Sequence, residues 1–162
     1  MPFSFTLFAL ALLQATDVTL PPTSAHIEFA AQGKGVQIYT CTHQGLAFEW
    51  ALKSPEATLF DAQGQKLGTH SAGPTWTATD GSSITGKVLE KHVSPDPLSI
   101  PWLLLAATPA SGHPGAFANI AFVRRSDTQG GIAPADGCDA THPNVEARVP
   151  YTATYTFYTA AK

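Results

Sequence analysis

Charge is scarce in this chain of 162 residues: 13 % are Asp, Glu, Lys or Arg, and the formal net charge at pH 7 is -3. With nine Lys and Arg in all and a single basic cluster at Arg124-Arg125, little is available to neutralise a phosphate backbone. Nucleic acid is therefore not expected as a partner. Helical periodicity is also missing. Past the start of the chain no sustained stretch places apolar residues three and four apart, and no second long apolar segment occurs. Neither a helical bundle nor a membrane-spanning helix in the mature protein is expected. No Gly-x-Gly-x-x-Gly opens a helix after a strand, and no Gly-x-Ser-x-Gly marks an exposed nucleophile. His26, His43, His70, His92, His113 and His142 show no spacing that would set two imidazoles on one ion, so neither metal nor cofactor is expected.

What is present points to export. Met1 to Ala15 carries no charged side chain and ends in small residues, which is how a secretory signal peptide reads. Cleavage after Ala15, or as late as Ala25, leaves one domain's worth of chain over residues 26–162. The expected location is secreted or extracellular, periplasmic in a bacterium. Cysteine occurs twice, as Cys41 and Cys138. Outside the cytosol two thiols usually form one bridge, here closing a loop of roughly 100 residues and stabilising the fold by about 4 to 5 kcal/mol. A nucleophilic thiol is the alternative, and the carboxylates of Asp136 and Asp139 beside Cys138 oppose it by disfavouring thiolate.

With 44 % hydrophobic residues the chain should fold, and 13 Gly and 13 Pro imply many turns. Alternation of period two recurs throughout. It is clearest where Val145, Ala147, Val149, Tyr151, Ala153, Tyr155 and Phe157 share one face and Glu146, Arg148, Thr152, Thr154 and Thr156 the other. Pro150 interrupts that strand and predicts a bulge, an edge or a break. Further strands are expected over Val36 to Cys41, around Phe48 to Lys53, and over Phe117 to Arg125. Asp61-Ala62-Gln63-Gly64 predicts one tight hairpin and Asp80-Gly81 a second. Trp102 to Ala107 is apolar without alternation and bracketed by Pro101 and Pro109, as for a strand buried on both faces. The expected fold is all-β: an antiparallel single-domain β-sandwich or small β-barrel, with few or no helices.

Several of these segments together are familiar: Gly35-Val36-Gln37-Ile38-Tyr39-Thr40-Cys41, Pro55 to Asp61, Gly68-Thr69-His70 with Gly73-Pro74-Thr75-Trp76, Ile100 to Leu105, and Thr128 to Gly131 leading to Gly137-Cys138. From about Gly35 to Tyr158 the chain resembles the secreted bacterial and fungal family called domain of unknown function 3455. That resemblance implies secretion and carries over no catalytic residues. The malate dehydrogenase label given to some members finds no Rossmann signature here.

Three residues stand out as ligand-binding candidates. His70 precedes Ser71-Ala72-Gly73-Pro74, which leads to Trp76; an imidazole beside an indole could offer a polar and stacking surface to a small polar or carbohydrate-like ligand. The plainer reading is that His70 ends a strand and Trp76 fills the core. Arg124 and Arg125 must diverge on their strand, so one can point inward; Arg124 is taken as the candidate anchor for a carboxylate or phosphate. Its plainer reading is an ion pair with a nearby acid. Asp136, Asp139 and His142 form the best local cluster for a cation, although turn capping accounts for both carboxylates. The second functional reading is an extracellular hydrolase built from acids on separate strands, among Asp80, Glu90, Asp96, Asp136 and Asp139. The third is a structural envelope or wall protein.

Overall fold

A computed structural model describes residues 17–110 and 112–161; the signal peptide expected over residues 1–15 lies outside them. The strands are β1 (His26–Gln44), β2 (Ala47–Phe60), β3 (Lys66–Ser71), β4 (Thr75–Ala78), β5 (Ser83–His92), β6 (Trp102–Pro109), β7 (Ile120–Gly130) and β8 (Glu146–Thr159). No helix occurs among the described residues. Each strand pairs antiparallel with the next, and β8 returns to β1, which closes the sheet into an eight-stranded up-and-down barrel. None of the described segments is a helix long and apolar enough to cross a membrane.

Local chemistry sets the corners. Asp61 accepts hydrogen bonds from the backbone N–H of Gln63 and Gln65, and Gly64 takes φ 77° to complete the β2–β3 turn. Asp80 accepts from the Ser82 backbone and hydroxyl in the β4–β5 turn, with Gly81 at φ 88°. The alternation read for β8 holds from Tyr151 on, with Tyr151, Ala153, Tyr155 and Phe157 buried in the core; Val145 lies before the strand and is exposed, and Thr156 on the opposite face is buried as well. Pro150 does not break the strand: pairing with β1 runs through Pro150↔Val36, while pairing with β7 stops at Tyr151. Its missing N–H thus falls beyond the end of the β7 ladder. Leu104 and Leu105 are both buried, so the centre of β6 is covered on both faces.

One end of the barrel is plugged by rings. Phe29 stacks there on Phe117 and Phe157, and Phe117 meets Phe157 at a tilt, with centroids 4.7 to 5.8 Å apart. The β6–β7 connection is drawn over this end because Asp80 accepts from the Ala116 N–H and the Ser82 hydroxyl accepts from the Phe117 N–H. Small residues make room for large ones. A Cβ on Gly33 would lie 2.5 Å from the Tyr155 ring, and one on Gly86 would lie 2.8 Å from the Trp76 ring.

At the other end the long β7–β8 connection is fastened to the β1–β2 corner. Cys41 and Cys138 form a disulfide across 97 residues of sequence. The Cys41 N–H donates to the Val145 carbonyl and the Asn144 N–H donates to the Cys41 carbonyl, both at 2.9 Å. The Trp50 indole N–H donates to the Asp136 carbonyl, and the Tyr39 hydroxyl to the Gly131 carbonyl at 2.6 Å. Replacing both cysteines by alanine should lower unfolding stability by roughly 4 kcal/mol in urea titrations, from loop closure alone. A loss below about 1 kcal/mol would contradict a constraint on so long a loop.

Candidate functional site

The strands differ in length, and this opens the wall. β3 and β4 have 6 and 4 residues, whereas the flanking β2 and β5 have 14 and 10. β2 pairs with β3 from Ala57 onward, and β4 pairs with β5 only up to Thr85. Above the β3–β4 turn the wall is therefore missing. A cavity of about 540 Å³ lies behind the gap, lined by parts of β1, β2, β5, β6, β7 and β8 and by the turn Ala72, Gly73 and Pro74.

Its floor is aromatic. His70 on β3 sits directly across from Trp76 on β4, and their rings stack with centroids 4.5 Å apart and planes 9° apart. The Tyr155 ring meets His70 edge-on at 5.1 Å. His70 is 3 % exposed, and its Nδ1 lies 3.0 Å from the Thr75 carbonyl oxygen. A carbonyl only accepts, so Nδ1 carries the proton and Nε2 is left as an acceptor. Burial depresses the His70 pKa to about 4, so the ring is neutral at ordinary pH. Burial likewise raises the Tyr151 and Tyr155 phenols, which share a hydrogen bond of 3.0 Å and stay un-ionised.

The polar groups of the walls are few. Arg125 donates from Nε and Nη2 to the Pro101 carbonyl, at 3.1 and 2.8 Å. Its charge acts on Tyr39, Tyr151 and Tyr155. Gln37 is 2 % exposed, and among the described residues its amide nitrogen has no hydrogen-bond partner. Lys53 and Lys91 are exposed on the lining.

Of the three candidates, His70 and Trp76 are together on the cavity lining. Arg124 is elsewhere. It points outward, makes an ion pair with Asp17, donates from Nε to the Thr19 hydroxyl at 3.2 Å, and lies 5.2 Å above the Trp102 ring. Its neighbour Arg125 takes the inward position with Val123, which is fully buried. The sequence alone does not mark Gln37 or Tyr39, and it leaves Arg125 level with Arg124 as the inward-pointing arginine. A register shift between Ile120 and Phe122 brings Ile120 and Val123, residues of opposite parity, inside together, so alternation counted from Ile120 would turn Arg124 inward instead of Arg125.

The acids gather nowhere in the cavity: none of Asp80, Glu90, Asp96, Asp136 or Asp139 is on its lining. Asp96 accepts from the Leu98 N–H and the Ser99 hydroxyl, so it serves its own turn. Asp139 accepts from the Thr141 backbone and hydroxyl and from His142, which holds its carboxyl at about 2. Among the described residues no three His, Cys, Asp or Glu side chains are placed to hold a metal ion.

The model of a family described as "Protein of unknown function (DUF3455)" matches residues 21–159. No curated protein and no solved structure matches the chain.

The buried imidazole makes stability depend on pH. Unfolded, His70 takes up its proton near 6.5; folded, it resists until about 4. Its contribution is complete above about pH 6.5 and declines as the pH falls toward 4, by on the order of 3 kcal/mol. Urea unfolding at pH 7 and pH 4.5 should show a smaller acid loss in His70→Phe, which keeps a ring on Trp76 without the proton. Parallel losses in the two proteins would contradict this account of His70.

Proposed function

The chain belongs to this family of unknown function, so no activity comes to it by kinship, and we propose from the site itself that it is an exported barrel that binds a small molecule. The observation carrying this reading is the cavity. At about 540 Å³ it has the size of ordinary small-molecule sites, and it opens through a gap that the short β3 and β4 leave in the wall. Its lining fits as well: apolar side chains dominate, and a few polar groups converge, namely the His70 Nε2 acceptor, the Gln37 amide and the Arg125 guanidinium.

His70 and Trp76 are the binding residues of this reading, and Arg125 fills the role first sought in Arg124. The apolar walls favour a ligand with an apolar body over a carbohydrate. The cross-link between Cys41 and Cys138 is compatible with an oxidising, extracytoplasmic setting. The hydrolase reading lacks a pair of carboxylates in the cavity, and a purely structural role leaves the cavity without a use.

A thermal-shift panel of neutral sugars, aliphatic alcohols, carboxylates and quaternary ammonium ions tests the reading, because a molecule that binds the folded form raises its melting point. At least one class should raise the melting point of the native protein and fail to do so in Leu52→Trp or Val88→Trp, whose side chains lie exposed on the lining. Absence of any shift, or shifts that survive both substitutions, would overturn it.

A further inference from the structure

The charges around the cavity are one-sided. Among the described residues, Lys53, Lys91 and Arg125 are on its lining and no Asp or Glu is, in a protein whose net charge is -3. Lys53 is engaged with Glu146 in an exposed pair. Arg125 and Lys91 form no ion pair with a carboxylate among the described residues. Arg125 is the telling group: it is half-buried and satisfied in part by the Pro101 carbonyl, with neutral phenols around it. A guanidinium withdrawn from water gains most from an anion that accepts its remaining donors. The rest of the lining offers that anion no competing negative charge and much apolar surface, including Leu52, Val88, Ile100, Leu103 and Leu105.

Resting on the reading of the cavity as a small-molecule site, we propose that its ligand is an amphiphilic acid: one anionic head held by Arg125, with Lys91 adding charge at the rim, and an apolar body against the aliphatic wall and the Trp76 floor. Arg125 and Lys91 then determine specificity for the head, and the aliphatic residues accept bodies of varied shape.

Decanoate, decyl sulfate, decan-1-ol and decyltrimethylammonium, each below its micellar concentration, separate head from tail. Titrated against the native protein by calorimetry and tryptophan fluorescence, decanoate or decyl sulfate should bind at least about tenfold tighter than the alcohol, and the cation should bind weakest. Arg125→Gln should erase most of that preference while leaving the alcohol's affinity nearly unchanged. Because Arg125 also holds the Pro101 carbonyl, Lys91→Gln provides a second measure on an exposed side chain: a smaller loss for the acids that shrinks as salt is added. Equal affinity for acid and alcohol, undiminished in either variant, would overturn the anionic ligand and leave a binding cavity standing. No binding by any of the four probes, with no shift across the wider panel, would remove the binding reading as well.

Discussion

Closing eight strands into a ring leaves an interior just wide enough for side chains to fill, and the whole molecule depends on that closure at the seam between β1 and β8. The seam is made by contrast in size. Ala31, Gly33 and Gly35 of β1 face inward where Tyr155, Ala153 and Tyr151 of β8 are paired opposite them. The tyrosine rings can then reach over the first strand into the interior. A larger residue at Gly33 would occupy the space of the Tyr155 ring. Tyr155 in turn supports His70 and Trp76, so the aromatic floor of the cavity stands on the seam.

The floor divides the barrel into two unequal chambers. Below it the phenylalanine cluster and the β6–β7 connection fill the end, and the interior is a packed core. Above it β3 and β4 have ended, no strand supplies side chains on that side, and the space stays open. The neighbouring strands then present to the cavity what a packed interior would exclude: a guanidinium, a primary amide and a neutral imidazole. Partial burial of Arg125 without a carboxylate is the feature that most separates this chamber from an ordinary core.

Much of this was legible in the sequence because period-two patterning and turn chemistry act locally. Asp61 to Gly64 and Asp80-Gly81 announce their hairpins, and Tyr151 to Phe157 announce the inner face of β8. His70 and Trp76 were adjacent enough in sequence to suggest one surface. The choice between the two arginines was not legible, because the shift between Ile120 and Phe122 hides which face of β7 is inside, and the acid that occupies Arg124 comes from Asp17, far away in sequence. Gln37 and Tyr39 gave no signal by themselves. Part of their surroundings comes from a loop far along the chain, Gly131, which Tyr39 reaches through a bond across 92 residues of sequence and against which Gln37 packs.

Ring closure at β1 and β8 is the claim on which the cavity, its floor and its ligand all stand. Cross-strand nuclear Overhauser contacts in isotope-labelled protein measure it directly. The account predicts backbone contacts between Gly33 and Ala153 and between Ala31 and Tyr155, with slow amide exchange along both strands. Absence of those contacts, with fast exchange along one side of β1 or β8 as on the free edge of an open sheet, would contradict it.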